Sequence, residues 1–383
     1  TLKHALRLLD HGPLLQRADL HLLEFAANYY VHPLGSVIMA TLPAALRRLS
    51  TRQPVPGNYT LTAAGAALAM DMLPPRARAQ HGLLTMFQSQ LVISHTTIST
   101  TSTATRTALK KFIAQGWVQP TSEDVPATAA GTPVPTAGPQ LTAEQTTAAN
   151  SICAALGAYQ AMLLWGITGS GKTEVYLHAI AAALARNTQI LLLVPEIALT
   201  PQLESLVMTR FPGVPVSTLH SGLADGARAE RWQAARTGHA RIVLGTRLSV
   251  FTPLPALGLI IVDEEHDTSL KQGEGFRYSA RDLAVVRARQ AGVPVVLGSA
   301  TPALETYRNA IDQRYRLLTL STRIQAGLPA ISCIDLRQQQ PADGLSDSLV
   351  TAIGERIARG EQSMVFINRR GYAPVLMCGS CGW

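Results

Sequence analysis

The apolar run Ala161-Met-Leu-Leu-Trp165 stops at Gly-Ile-Thr-Gly-Ser-Gly-Lys-Thr (166–173), and the chain then passes into TEVYLHAIAAAL, which has helical apolar spacing. No other stretch restricts the fold so tightly. A strand, a glycine-rich turn and a helix in direct succession, with the spacing G-x-x-x-x-G-K-[ST], describe a loop that wraps phosphates. Glycines let backbone N–H groups approach phosphate oxygens, and the helix N-terminus adds partial positive charge. Gly166, Ile167, Thr168, Gly169, Ser170, Gly171, Lys172 and Thr173 are therefore read as nucleotide-binding. Lys172 would reach the β- and γ-phosphates of ATP, and the Thr173 hydroxyl would hold Mg²⁺. The loop alone leaves open what the nucleotide drives, since kinases, GTPases, transporters and motors share it.

The surrounding chain repeats the strand–helix alternation. Strand candidates are 161–165, 190–194, 241–244, 257–262 and 293–297, with helical patterns between them. This predicts an α/β fold: a parallel sheet covered on both faces, with ligands at the carboxyl ends of its strands. Residues 119–139, QPTSEDVPATAAGTPVPTAGP, lack apolar periodicity and read as a linker. The part before it reads as mostly helical. One helix should end at Pro33 and Gly35, and two helical pieces within LTAAGAALAMDMLPPRARAQHGLLTMF should break at Pro74 and Pro75. In TALKKFIAQGWVQ, Leu109, Phe112 and Ile113 form one face, Gly116 ends the helix and Trp117-Val118 begin a strand. That order suggests a winged helix; a small helical bundle without ligand is the alternative.

Bulk properties narrow the class. Lys and Arg total 33 against 25 Asp and Glu, a net of +8, which fits a polyanionic partner and equally a mildly basic protein without one. No apolar run reaches the roughly 18 residues needed to cross a bilayer. Four cysteines and the lack of a basic-then-apolar leader suggest a reducing, cytoplasmic setting. Cys153 and Cys333 stand alone and read as inert core residues. The chain starts at Thr1 and stops within MCGSCGW, and is read as a fragment.

Further motifs follow the strands. LGLIIVDEEHD delivers Asp263 to a strand end, where it would bind the Mg²⁺, with Glu264 beside it to polarise an attacking water. Two adjacent carboxylates are ordinarily a solvated turn, but these follow an apolar strand in a chain with a phosphate loop. Gln145 lies upstream of that loop, placed either to read an adenine edge or simply to sit on a surface helix. Asp263-Glu264-x-His266 is the mark of superfamily-2 helicases. VPEIALT (Pro195, Glu196, Thr200) and GTR (Gly245, Thr246, Arg247) stand where such motors hold a nucleic-acid backbone, and Ser299-Ala300-Thr301 resembles the motif coupling hydrolysis to strand movement.

A closer match is carried by GSGKTEVYLHAI, LVPEIALTPQL, LHSGL, DEEHDTSLKQGEGFRYSARDLAVVRA, LGSATPALET and INRRGYAPVLMCGSCGW. Together they resemble the PriA family, the bacterial primosomal N′ helicases of replication restart, from near the first residue to Trp383. The resemblance implies a 3′-to-5′ DNA helicase with two RecA-like lobes. Residues 1–46 would be the end of a 3′ DNA-binding domain, 47–118 a winged-helix domain, 140–322 the first lobe, 323–377 the start of the second, and 378–383 the beginning of a zinc-binding region. It also implies that KQGEGFRYSARD couples DNA contact to hydrolysis. Phe276 and Tyr278 would stack on bases and Lys271, Arg277 and Arg281 would meet phosphates, with Leu270 and Phe276 standing where the family tends to carry Tyr and Trp. The alternative is that these aromatics are buried in the lobe.

Cys378 and Cys381 are half of a tetrahedral zinc site, whose other thiolates the family supplies further along, or else two unbound thiols. The implied partners are forked and single-stranded DNA, other primosome proteins and single-stranded DNA-binding protein. A second-lobe arginine, worth roughly 10³–10⁵ in rate, is not among these residues, so the chain should bind nucleotide and DNA but hydrolyse poorly. A fork-binding scaffold whose motor is secondary is the competing reading. The aromatic-rich loop and CGSCGW speak against a restriction-type or RNA-directed enzyme.

Overall fold

The computed structural model describes residues 13–47, 58–74, 77–89, 92–94, 98, 102–121, 135–136, 138–195, 200–324, 330–335 and 345–366. It comprises two compact units, Thr1–Gln325 and Ala326–Trp383.

The first unit opens with α1 (Arg17–Tyr29) and α2 (Leu34–Thr41). Helix α1 stops at Tyr29, four residues before Pro33, and Gly35 lies inside the second helix. Pro33 is the N-cap of α2, because a residue with fixed φ and no N–H suits a helix start.

Next come β1 (Asn58–Leu61), α3 (Arg78–Ser89), β2 (Val92–Ser94), α4 (Thr103–Ala114) and β3 (Val118–Thr121). The strands form an antiparallel sheet in the order β2-β1-β3. Asn-Tyr-Thr-Leu at 58–61 is a strand, since its aromatic and β-branched residues suit a sheet paired on both sides, and only its Leu61 falls in the stretch expected to be helical. A single helical turn, Ala63–Ala66, follows it, capped by Thr62. Tyr59, Leu83, Leu84, Phe87, Leu109, Phe112 and Val118 make this region's own core. Gly116 ends α4 at φ 69° as expected. Ile113 stays 38% exposed instead of joining Leu109 and Phe112.

Residues 119–121 of the expected linker belong to β3, and 122–134 lie outside the described residues. Near the segment's far end, the Thr136 N–H donates to the Arg210 carbonyl at 2.9 Å.

The large layer contains α5 (Ala143–Ala155), β4 (Ala161–Gly166), α6 (Lys172–Ala185), β5 (Gln189–Leu193), α7 (Thr200–Arg210), β6 (Val216–Leu219), α8 (Asp225–Arg236), β7 (Ile242–Gly245), β8 (Leu257–Val262), α9 (Ala280–Ala291), β9 (Val295–Ser299), α10 (Leu304–Ile311) and β10 (Arg316–Leu320). Its seven strands are all parallel, in the order β10-β4-β9-β8-β5-β7-β6. The five expected strands are present, and β6 and β10 join them.

Period-two alternation divides the strand side chains between two cores. Leu191, Leu193, Ile260, Val262, Val295 and Leu297 face one, which α1, α8 and α9 cover. Ile190, Leu192, Leu259, Ile261, Met162 and Leu164 face the other, covered by α5, α6 and α7. Helix α1 contributes Leu22, Leu23, Ala26 and Ala27 to the first core, so the N-terminal segment is built into the sheet's cover.

In the second unit, α11 (Asp347–Ala358) is capped by Ser346, whose hydroxyl accepts from the Leu349 N–H at 3.3 Å. Residues 363–366, at the start of SMVFINRRG, have no regular structure, and the rest of that segment lies outside the described residues.

Candidate active site

Strands β4, β9 and β8 are neighbours, so their carboxyl ends bring three segments of the chain together. The loop after β4 runs 166–171. Gly171 lies at φ 76° and is the N-cap of α6, and a β-carbon there would strike Gln145 and Ile324. The loop is braced from outside by the Ile324 N–H, which donates to the Gly169 carbonyl at 3.0 Å. Lys172 Nζ donates to the Gly166 carbonyl at 3.1 Å and lies 3.6 Å from Glu264 Oε1.

Strand β8 delivers Asp263 beside this loop. Tyr176, on α6, donates its hydroxyl to Asp263 Oδ1 at 3.0 Å. Burial first, then the adjacent Glu264, push the Asp263 carboxyl above the usual carboxylate range, against the pull of Tyr176 and Lys172. Glu264 sits at φ 45°, a left-handed conformation that costs a non-glycine residue on the order of 1–3 kcal/mol. It turns the chain so that Glu264 meets Lys172 and lies 3.6 Å from His266 Nδ1.

His266 Nδ1 is 2.7 Å from Ser299 Oγ, at the end of β9, and its Nε2 is 3.4 Å from Thr301 Oγ1. The Thr301 N–H donates to Ser299 Oγ at 3.0 Å, and the Ala300 carbonyl accepts from Trp165 Nε1 at 3.1 Å. A continuous polar path thus runs from Lys172 through Glu264 and His266 to Ser299 and Thr301.

The donor set fits a magnesium–triphosphate group. Ser170 Oγ is buried without a hydrogen-bond partner among the described residues. Beside Gly169 a β-carbon would meet nothing within 4 Å, leaving open space at the loop's exposed crest. The Asp263 carboxyl is held in the neutral direction where a cation would return it to the charged form.

Asp263 carries a stability consequence. A raised folded-state pKa means its penalty is absent below the unfolded-state value and grows as pH rises through the folded one. Asp263→Asn should therefore raise the melting temperature at pH 7 in magnesium-free buffer. The gain should shrink as the pH is lowered, and thermal scans across pH check it. An Asn variant less stable than the parent at pH 7 would contradict the assignment.

Gln145 departs from its expected role. It is 2% exposed, its Oε1 accepts from the Thr142 N–H at 2.9 Å, and its Nε2 donates to the Ser170 carbonyl at 2.8 Å. It caps α5 and props the phosphate loop from inside the fold, and is neither a base reader nor a surface residue here.

The sequence reading passed over Tyr176, Glu265 and Gly298. Glu265 is 1% exposed and accepts from the Ala303 N–H at 2.7 Å, Thr306 Oγ1 at 2.8 Å and Arg281 Nη1 at 3.3 Å. A β-carbon at Gly298 would overlap the Tyr176 hydroxyl. Gly298→Ala should push Tyr176 off Asp263 and destabilise the fold by about 1–3 kcal/mol, the range for overpacking. Chemical denaturation measures this; an unchanged midpoint would count against the contact.

The comparisons with known proteins agree with this geometry. Residues 142–310 match the model of the DEAD/DEAH box helicase family, and residues 1–43 match that of the 3′ DNA-binding domain (3′BD) of PriA. The replication restart protein PriA of Haemophilus influenzae is 38% identical over all of this chain and 53% of its own length. That of Bacillus subtilis is 42% identical over 59% of this chain and 28% of its own. Over its whole length the chain is similar to a PriA replication restart protein. It spans about half the length of the first relative and under a third of the second.

The DNA-side residues expected from the PriA resemblance are placed less uniformly. Lys271 and Arg277 are exposed, and Thr246 is half-buried after β7. Phe276 and Tyr278 are 6% and 5% exposed, stacked on each other at 4.9 Å and packed against Phe251, so they offer no face to a base in this conformation. Burying two aromatics beside an apolar core outweighs leaving them in water.

Arg281 is bound to Glu265 and Asp282, and Arg247 Nη1 to the carbonyls of Ser269 and Lys271 at 3.0 and 2.7 Å. Both guanidiniums are engaged within the protein and not held out for phosphates.

Thr200 opens α7, but its side chain, like all of Glu196, lies outside the described residues, as do Cys378 and Cys381. Among the described residues no group of three or more His, Cys, Asp or Glu could hold a metal. No helix among them is long and apolar enough to cross a membrane.

Proposed function

We propose that this chain is the nucleotide-binding and DNA-coupling part of an ATP-dependent 3′-to-5′ DNA helicase that acts at stalled replication forks and starts primosome assembly. One observation supports this above the others: Lys172, Asp263, Glu264, His266, Ser299 and Thr301 meet at one sheet edge in a chain whose first residues match a 3′ DNA-binding domain. Lys172 binds the β- and γ-phosphates, and Glu264, next to it, orients the attacking water. Thr173 and Asp263 would hold magnesium, which when bound neutralises charge on the transferring phosphate. His266 passes the state of that site to Ser299 and Thr301, at the end of a different strand. The winged-helix reading of 47–118 belongs to the same proposal, as do cytoplasmic location, fork and single-stranded DNA as substrates, and the primosome proteins and single-stranded DNA-binding protein as partners.

Fluorescence titration of the chain with a non-hydrolysable ATP analogue and with single-stranded DNA tests the reading. Magnesium-dependent binding of the analogue and salt-sensitive binding of DNA are expected. A chain that bound neither would overturn it.

A further inference from the structure

The loop after Leu270 is closed by an antiparallel bridge between Lys271 and Ser279 and by the Gln272 N–H donating to the Tyr278 carbonyl at 2.8 Å. Lys271, Gly273, Glu274, Gly275 and Arg277 are exposed, whereas its two rings are hidden. On one side those rings meet Phe251 of the sheet's cover. On the other side Phe276 meets the N-terminal segment. The Tyr30 ring lies edge-on to Phe276 with centroids 6.2 Å apart, and His32 lies 5.3 Å from it. The Tyr30 hydroxyl accepts from the Ser279 N–H at 3.1 Å, at the loop's exit.

Between these two residues stands Val31, at φ 51° and 90% exposed. A β-branched residue in the left-handed region is a strained exception, held only where the surrounding structure fixes it. The strain sits at the point where the N-terminal segment touches the loop. That segment lies within residues 1–43, which match a 3′ DNA-binding domain, and the loop begins five residues after His266.

We propose that Tyr30 and His32 form a latch that keeps the loop 271–279 docked with Phe276 and Tyr278 hidden, and that opening the latch exposes this stacked pair to the bases of single-stranded DNA. The strain at Val31 biases the latch toward release. The exposed glycines at the loop's crest allow it to swing without moving the sheet. A docked loop must open before it binds, so apparent DNA affinity is reduced by the open fraction. The DNA half of the inference rests on the proposed function; the latch itself does not.

Hydrogen–deuterium exchange and oligothymidylate titration of the same samples test both halves. Tyr30→Phe keeps the ring and removes the acceptor for Ser279. It should speed exchange across 272–279 about threefold to tenfold, as loss of one hydrogen bond does, while exchange in β4 and β8 stays unchanged. Adding His32→Ala should increase the effect, and Val31→Gly should slow exchange instead. Oligothymidylate affinity should rise or fall by the same factor as the exchange rate.

Exchange in the loop that is unmoved by the double variant overturns the latch. Exchange that moves without a parallel change in DNA affinity overturns release for DNA. If the parent chain and every variant bind no DNA, the proposed function fails, while exchange still reports on the latch.

Discussion

Lys172→Ala should weaken magnesium–ATP binding to this chain about 30-fold or more, the effect of removing one member of a buried charge pair, and leave the melting temperature nearly unchanged. The two expectations have different causes. The Lys172 side chain is 10% exposed and points along the phosphate loop, so a triphosphate there would find this lysine in a partly desolvated place. Without nucleotide, Lys172 faces Glu264, whose side chain is 34% exposed and can turn to water once the lysine is gone. The ion pair therefore contributes little to stability. Isothermal titration and a thermal scan of the same variant separate the effects. A variant that bound nucleotide like the parent would remove the phosphate loop from the account.

Glu265→Ala should do the reverse, destabilising the chain by about 3–5 kcal/mol, the range for breaking one partner out of a buried pair. The Glu265 side chain is fully buried, and the Arg281 side chain is 11% exposed. Removing the carboxylate strips the Ala303 N–H and the Thr306 hydroxyl of their acceptor and leaves Arg281 with Asp282 and a distant Glu305. At roughly 2–4 °C per kcal/mol, the melting temperature should fall by about 6–20 °C. Glu264→Gln, one residue earlier, should leave the melting temperature close to the parent's. Equal thermal losses for the two would mean that their different burial has no energetic meaning.

This pair of neighbours illustrates what could be read from the residues. Apolar strands followed by Gly166–Thr173 and by Asp263–His266 predicted a parallel sheet with a nucleotide site at its carboxyl edge, because periodicity and a motif with fixed spacing both survive without tertiary knowledge. Strands β6 (Val216–Leu219) and β10 (Arg316–Leu320) were missed: Ser and Thr, or an arginine and a threonine, interrupt the apolar runs, and only pairing with β7 and β4 makes them strands.

The surroundings of the DNA-side side chains were not legible for a related reason. Phe276, Tyr278, Arg247 and Arg281 have the residue types that bind DNA, yet what each touches depends on Tyr30, Phe251 and Glu265, which are distant in sequence or look like ordinary members of a motif. Gln145 is similar: its neighbours in sequence suggest a surface helix, but its amide reaches Ser170 across the fold. Tyr176 had a readable signal, an aromatic one helical turn beyond Lys172, on the face that looks back at the strand ends.

The central claim is that a magnesium-bound triphosphate rests on Gly166–Thr173 and shares its metal with Asp263. A crystal structure of the chain grown with magnesium and a non-hydrolysable ATP analogue tests it most directly. Phosphates should lie along the loop against Lys172, with the metal between the Thr173 hydroxyl and the Asp263 carboxylate. An analogue bound elsewhere, or seated on the loop with its metal away from Asp263, would contradict it.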